Sequence, residues 1–283
     1  MNIDIDQYVR YVVASDERSA FSLIENLLTD GCTVADVYLS LIAPAQRELG
    51  ARWSTGELSI ANEHLASEIT LRMMDRLRER ARRGIPHGKR AIVSAAPMER
   101  HALAARIVSD FLYIDGWSVD YLGADMPGEE LAAFTGRTNP DLVAISAVFG
   151  TDLNPLQEAI RDLRVAAPGA KVLVGGAAIA NDEHAKSLGA DGFAQDAAGA
   201  ALVARHLVGL KIGETLGELL GRIGENLQSL RRSRNWTQQQ MATAAGVDRT
   251  YLSGVENGKQ NLSLAALQKL AGALDLPAVE LLK

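Results

Sequence analysis

The spacing of hydrophobic residues divides the chain into three blocks, each with its own period. In residues 1–84 apolar residues recur three and four positions apart, as at Tyr8 and Val12 and again at Ile24, Leu27 and Leu28. This spacing places apolar side chains along one face of a helix. Breaks near residues 31 and 56 separate successive helices. The first block is therefore predicted to form a four-helix bundle.

Residues 89–210 alternate short apolar runs with amphipathic stretches. The runs predict five strands, over residues 91–95, 118–122, 142–147, 171–174 and 192–194. The amphipathic stretches between them supply the crossover connections that parallel strands need. We therefore expect a flavodoxin-like, doubly wound, five-stranded parallel sheet with helices on both faces. Ligands of such sheets bind beyond the carboxyl ends of the strands.

The third block, residues 221–283, has no strand pattern and is predicted to be all-α. Thr237 can cap one helix, Gly246 can supply a tight turn, and Asp248 can cap a second helix. The run from Thr-Gln-x-x-Met-Ala through Gly-Val to Tyr-Leu-Ser-x-x-Glu-Asn-Gly resembles the phage-repressor (Cro/C1, or XRE) class of helix-turn-helix domains. The segment 209–221 is expected to transmit changes between this block and the rest of the chain.

That resemblance implies double-stranded DNA as a partner. Arg249, Thr250 and Ser253 would read base edges from the second helix, while Gln238 and Lys259 would hold phosphates. A single helix-turn-helix reads only a few base pairs, so we expect a homo-oligomer, a dimer or higher. The alternative is a helical domain that binds protein, acting as an antirepressor.

Charge separates the last block from the others. The whole chain has a net charge of -6, yet residues 221–283 carry eight Lys or Arg against five acids, which leaves -9 for the remainder. Arg231, Arg232 and Arg234, just before the motif, favour a DNA partner. The acidic N-terminus lacks the features of a signal peptide, and no apolar stretch reaches the roughly 18 residues of a membrane span, so a cytoplasmic protein without a membrane partner is expected. The lone Cys32 excludes an internal disulfide.

Candidate ligand-binding residues follow three strands of the second block. They are Glu99-x-His101 after the first, Ser146-x-Val148 after the third, and Gly175-Gly176 after the fourth. Because all three loops meet at one sheet edge, these groups should lie close together. The set resembles the cobalamin-binding domain of corrinoid proteins.

The resemblance assigns a role to each of these groups. His101 would bind cobalt, and Glu99 would fix the tautomer of that imidazole. Ser146 would bind the nucleotide tail of the cofactor, beside Val148 and the two glycines. Ala104 stands where this motif usually has glycine, adding a methyl group near the tail.

The bundle carries a second candidate set. Trp53 is followed after nine residues by Glu63 and His64, and Ile60 lies on the same helix face as these two. This pattern resembles the cap of the CarH/LitR class of cobalamin-dependent photoreceptor regulators, and it implies that Trp53, Glu63 and His64 enclose the adenosyl group of adenosylcobalamin. Ile60, on the same helix face as two polar groups, would line the same cavity. Ser54 stands where those photoreceptors have histidine.

The sequence therefore predicts three domains, a cap at 1–84, a cobalamin-binding domain at 89–210 and a DNA-binding domain at 221–283. We interpret them as a cobalamin-responsive regulator rather than an enzyme, with light or the supply of adenosylcobalamin as its signal. Adenosylcobalamin is the expected cofactor, with hydroxocobalamin and methylcobalamin as alternatives. Two other functions stay open, a corrinoid methyl carrier of a methyltransferase and a regulator that binds haem through His101.

Overall fold

The computed structural model describes residues 3–148, 152–210 and 216–282. The chain divides into two compact units, residues 1–210 and residues 211–283. Residues 211–215, within the segment 209–221 that the sequence predicts to transmit changes, lie outside the described residues.

The first unit begins with a helical bundle. Its elements are α1 (Ile5–Val13), α2 (Glu17–Thr29), α3 (Val34–Val37), a π-helical turn (Tyr38–Ile42), α4 (Ala43–Ser54) and α5 (Ile60–Arg80). From α3 to α4 the backbone stays helical, so the bundle has the predicted count of four helices. Asp4, Asp16 and Ser59 cap α1, α2 and α5 through their side chains, which fixes where these helices begin.

An α/β domain follows the bundle in the same unit. Its strands are β1 (Arg90–Ala95), β2 (Ser118–Gly123), β3 (Leu142–Ser146), β4 (Lys171–Gly175) and β5 (Gly192–Ala194). All pairs are parallel, in the order β2-β1-β3-β4-β5. In the register Ser146 lies beside Gly175, so the ends of β3 and β4 meet at the same edge.

Helices cover both faces of the sheet. The crossover helices are α6 (Leu103–Asp115), α7 (Gly128–Thr138), α8 (Asn154–Ala166), α9 (Asp182–Ser187) and α10 (Ala197–Leu207). One core cluster joins the sheet to α6 and α10, and another joins it to α7, α8 and α9. The bundle packs on the first of these faces, because Ile107 and Phe111 of α6 and Ala197 of α10 belong to the bundle core.

The second unit is all-α. Its helices are α11 (Leu216–Ser233), α12 (Gln238–Ala245), α13 (Arg249–Glu256) and α14 (Leu264–Ala273), with a 3-10 helix at Ala278–Leu282. Thr237 forms a capping box with Gln240, and Gly246 takes the left-handed conformation (φ 62°) between α12 and α13. Asp248 caps α13. These elements confirm the predicted fold class of bundle, parallel sheet and helix-turn-helix.

Candidate ligand site and helix-turn-helix surface

The loop after β1 holds a buried carboxylate against a histidine. Glu99 is only 5% exposed, and its Oε1 accepts hydrogen bonds from His101 Nδ1 at 2.5 Å and from the His101 backbone N–H at 2.9 Å. Since a carboxylate only accepts, Nδ1 donates and the lone pair of the imidazole lies on Nε2. That is the atom a metal would bind.

The other oxygen of Glu99 reaches the loop after β3. Its Oε2 accepts from the backbone N–H of Val148 at 3.0 Å, so one side chain joins two loops at the sheet edge. This contact gives Val148 a backbone role beside Glu99. The sequence places Glu99, His101 and Val148 together, and the structure brings them together.

The loop after β2 is hydrogen-bonded to the loop that contains Glu99. The Asp125 N–H donates to the Glu99 carbonyl at 2.8 Å, and the Met98 N–H donates to Asp125 Oδ1 at 3.0 Å. Met98 and Asp125 both have left-handed backbone conformations, with φ of 65° and 48°. Asp125 is a positioning residue that spacing alone does not reveal, because its partner is 27 residues away.

A cleft of about 430 Å³ lies beside this edge. Its walls include Ala104, Ile107 and Val108 of α6 together with Ala197 and Ala200 of α10. Ser146 lies in the lining and is 6% exposed, and its hydroxyl makes no hydrogen bond with the described residues. A hydroxyl that faces a cleft without a protein partner suits a polar group of a bound molecule. The volume is within the usual range for small-molecule sites.

Gly175 and Gly176 line the cleft, and the structure gives a packing reason for their being glycine. A Cβ on Gly175 would lie 2.4 Å from the Ala194 carbonyl oxygen. A Cβ on Gly176 would lie 2.2 Å from the Ala147 carbonyl oxygen, and Gly176 has φ of 99°. The close approach of neighbouring backbone therefore requires both glycines. Ala104 lines the cleft, as expected for a residue near a tail.

The four candidate residues of the bundle lie at its surface. Trp53, near the end of α4, is 36% exposed, and Ile60, at the start of α5, is 59% exposed. His64 is exposed, and its Nδ1 lies 3.1 Å from the Ile60 carbonyl oxygen. Glu63 is half-buried and accepts from Ser67 Oγ at 2.8 Å. The hydrogen bonds of His64 and Glu63 within the described chain stay on α5.

A series of hydrogen-bonded polar side chains continues from Ser67 into the bundle. Ser67 Oγ lies 3.3 Å from Gln46 Oε1, and Gln46 Nε2 donates to Thr70 Oγ1 at 3.0 Å. Tyr8 follows, with its hydroxyl 3.1 Å from Thr70 Oγ1. Burial raises the pKa of Tyr8 to about 12, so its hydroxyl is neutral at physiological pH.

One buried carboxylate joins the bundle to the α/β domain. Asp110 of α6 is fully buried and accepts from Tyr38 Oη and from Arg78 Nη1, both at 2.6 Å. Arg106 also pairs with Asp110, and it reaches Asp75 of α5 at 2.6 Å. Two cations thus balance two anions in this cluster, which is the condition under which buried charge is tolerated. Burial and Asp110 together raise the pKa of Tyr38.

In the second unit the predicted base readers are accessible. Arg249 and Thr250 are exposed in the first turn of α13, Ser253 is half-buried one turn later, and Lys259 is exposed beyond the helix. Hydrogen bonds from the Thr250 backbone lower the pKa of Asp248, which keeps this N-cap ionised.

Gln238 and two of the arginines have internal partners instead. Gln238 Nε2 donates to Glu256 at 2.9 Å, and Arg231 forms a buried ion pair with Glu256 at 2.6 Å. Arg234 donates to the Leu274 carbonyl. Burial raises the pKa of Glu256, but the hydrogen bonds from Arg231 and Gln238 outweigh it, and the net shift is downward. Arg231 is therefore buried within the domain and does not face DNA as we expected, whereas Arg232 and Arg234 are exposed.

No group of three or more His, Cys, Asp or Glu side chains in the described ranges could hold a metal ion. A metal at His101 would therefore need further ligands from its own macrocycle. A corrin supplies such a set, and the cleft with the Ser146 side chain in its lining suits its tail. Among the described helices, none has the length and apolar character to cross a membrane.

Comparison with known proteins gives three family matches. Residues 89–203 match a B12 binding domain, residues 4–78 match a second B12 binding domain model, and residues 227–281 match a helix-turn-helix. These matches confirm the resemblances inferred from the Glu99–His101, Trp53 and Thr237 motifs.

Among curated proteins the chain is similar to two repressors of Myxococcus xanthus. It is 31% identical over 169 residues to the HTH-type transcriptional repressor CarA, a match that covers 58% of this chain and 56% of CarA. It is 30% identical over 139 residues to the HTH-type transcriptional repressor CarH, covering 49% of this chain and 46% of CarH. The match thus spans about half the length of these relatives.

Among solved structures the chain is similar to the Methanosarcina barkeri monomethylamine corrinoid protein. The TM-score is 0.64 with 20% sequence identity, covering 72% of this chain and 97% of that one. At this identity the likeness concerns the fold alone.

Proposed function

Because the chain carries B12 binding domains and a helix-turn-helix domain, we propose that it is a cobalamin-responsive transcriptional regulator of the cytoplasm. The observation that carries the proposal is Glu99 holding His101 at the sheet edge whose Ser146 lines the cleft, in a chain that also exposes Arg249 and Thr250 in the first turn of α13. The first feature supports a cobalamin sensor, and the second supports a domain that reads DNA.

His101 would hold cobalt through Nε2, and Ser146 would bind the nucleotide tail in the cleft. Trp53, Ile60, Glu63 and His64 would surround the upper ligand. Adenosylcobalamin would supply a cobalt–carbon bond that light can break. The signal we propose is the adenosylcobalamin state, set by supply or by light.

Such a cofactor controls DNA binding only if it binds two arrangements of the protein with different affinity. Burying Trp53 and Ile60 against an upper ligand would give that difference, because both side chains are exposed without one. A homo-oligomer with two readers would then occupy repeated half-sites.

The direct test uses the purified full chain with adenosylcobalamin or hydroxocobalamin, in darkness and after green light. We expect an imidazole-ligated absorbance spectrum, its loss in His101→Ala, and a change in DNA mobility shift between cofactor states. Arg249→Ala should abolish the DNA shift and leave the spectrum unchanged. A His101→Ala spectrum identical to that of the unmodified chain would contradict the ligand assignment. Spectra insensitive to illumination would remove light as the signal.

The same preparation separates the other functions. Analysis of the copurified metal for cobalt and iron distinguishes cobalamin from haem. Transfer of a methyl group from the loaded protein to an added acceptor would favour a corrinoid carrier. Loss of regulation without loss of DNA binding in Arg249→Ala would favour an antirepressor that contacts protein.

A further inference from the structure

Arg47 is the one basic side chain among the described residues that line the cleft. It belongs to α4 of the bundle, whereas most of the lining comes from the sheet and from α6 and α10. The lining also contains one carboxylate, Asp196, whose Oδ1 accepts from the Gly199 N–H at 2.7 Å as the N-cap of α10. The rest is apolar, apart from Ser146, Gln195 and the two glycines.

The helix geometry explains how a bundle residue reaches this cleft. Leu39, Ala43 and Arg47 follow one another at intervals of four along the continuous helix through the π-helical turn and α4, and all three line the cleft. Residues at this spacing share one helix face. Gln46, the residue before Arg47, donates to Thr70 of α5, and Trp53 lies two turns further along α4. One helix therefore presents residues to the cleft and to the predicted upper-ligand surface.

Arg47 has no direct polar partner among the described residues, although it lines a second pocket together with Asp6 and Glu48. It is exposed, and within the described residues it makes no hydrogen bond and no ion pair. By contrast, Arg52 on the same helix is paired with Glu48 at 2.8 Å, and Arg78 with Asp110 at 2.6 Å. A guanidinium at the mouth of an apolar cleft matches an anion, and arginine suits phosphate through paired hydrogen bonds.

We propose that Arg47 binds the phosphodiester of the cofactor's nucleotide tail, so that the cap recognises the tail as well as the upper ligand. This inference rests on the proposed function. The tail carries one negative charge, and a slot that takes it out of water must offer a compensating partner. Arg47 would make the site selective for corrinoids with a complete nucleotide tail. It would also tie α4, and with it Trp53, to occupancy of the cleft.

The test compares hydroxocobalamin with cobinamide, the corrinoid that lacks the nucleotide tail and its phosphodiester. Both are titrated by absorbance into the full chain, into Arg47→Ala, Arg47→Lys and Arg47→Glu, and into the control Arg18→Ala. Arg18 is an exposed arginine of α2 that does not line the cleft. One charge-assisted contact corresponds to roughly tenfold in affinity.

We expect Arg47→Ala to bind hydroxocobalamin about tenfold more weakly and cobinamide within about twofold of the unmodified chain. Affinity for hydroxocobalamin should fall further in Arg47→Glu and less in Arg47→Lys, and it should not change in Arg18→Ala. Unchanged binding of both corrinoids, or equal losses of both, would overturn the inference. Retained cobinamide binding shows that a variant is folded. If the unmodified chain bound neither corrinoid, the proposed function itself would fail, which is a distinct result.

Discussion

The sheet edge and the cap surface differ in how completely they are formed. At the sheet edge, Glu99 is 5% exposed and joins the loops after β1 and β3 through hydrogen bonds to His101 and Val148. On the cap, Trp53 and Ile60 are 36% and 59% exposed. The metal-binding side is thus organised by the fold itself, whereas the cap side presents apolar surface that a ligand could cover.

This difference suggests a division of labour between affinity and signal. Side chains that are already held in place lose little conformational freedom when a corrinoid binds. The sheet edge should therefore set how tightly any corrinoid is held. The cap should set which upper ligand is favoured, because burial of its exposed side chains depends on that ligand. The bundle and the α/β domain are joined at α6, whose Asp110 accepts hydrogen bonds from Tyr38 and Arg78 of the bundle.

Removing Asp110, which joins the bundle to the α/β domain, should have the largest effect on stability. Asp110→Ala leaves Arg78 and Arg106 without a fully buried partner, and we expect a loss of about 3–5 kcal/mol in the free energy of unfolding. Urea unfolding of the full chain, followed by circular dichroism, measures it. Asp75→Ala is the matched control, because Asp75 pairs with the same Arg106 but its side chain is 62% exposed. It should cost about 1 kcal/mol or less. Equal losses in both variants would contradict a link centred on Asp110.

The Tyr38 hydroxyl gives a finer measurement of the same link. Tyr38→Phe removes a buried donor to a carboxylate, which should cost about 1.5–3 kcal/mol. Tyr8→Phe removes a buried hydroxyl bonded to the neutral Thr70 within the bundle, and should cost about 0.5–1.5 kcal/mol. Thermal and urea unfolding of the two variants provide the comparison. If Tyr8→Phe lowered the free energy of unfolding more than Tyr38→Phe did, the Tyr38–Asp110 hydrogen bond would be weaker than the Tyr8–Thr70 hydrogen bond within the bundle.

At the sheet edge the expected effect is on ligand affinity. Glu99→Gln keeps the shape of the side chain but replaces one acceptor oxygen with an amide nitrogen, so His101 Nδ1 and the Val148 N–H cannot both keep their present bonds. We expect cobalamin affinity to fall about 10–100-fold, with a shifted spectrum of the imidazole-ligated form. Absorbance titration measures both. Glu129→Gln, on the exposed first turn of α7, is the control. An unshifted spectrum in Glu99→Gln would mean that Glu99 does not position His101.

Local patterns predicted much of this architecture. The five strands agree with their sequence-based ranges to within one residue at each end, because alternating apolar runs and crossover helices are encoded in neighbouring positions. The Glu99–His101 pair was also predictable from a local pattern, since only one residue separates the two in the motif. Ser146 and the two glycines became predictable once parallel strand ends were known to share an edge.

Links between distant positions were not predictable. Tyr38 and Asp110 are 72 residues apart, and Arg231 and Glu256 are 25 apart, so no periodicity relates them. Charge composition suggested that Arg231 faces DNA, whereas the fold buries it against Glu256. The requirement for Gly175 and Gly176 also depends on how closely β5 and the loop after β3 approach them. Such facts belong to packing, which a single sequence does not display.

The smallest expected effect on stability lies at the cap, and it tests the division of labour directly. Trp53→Ala removes a side chain that is 36% exposed, so the free energy of unfolding without cofactor should fall by only about 1 kcal/mol. Binding of adenosylcobalamin should nevertheless weaken several-fold relative to hydroxocobalamin, because only the adenosyl group is large enough to cover the indole. Paired titrations of the two corrinoids measure this ratio, with Val165→Ala on α8, 82% exposed, as the control. If Trp53→Ala weakened both corrinoids equally, the cap would contribute general affinity, and the contrast with the sheet edge would not hold.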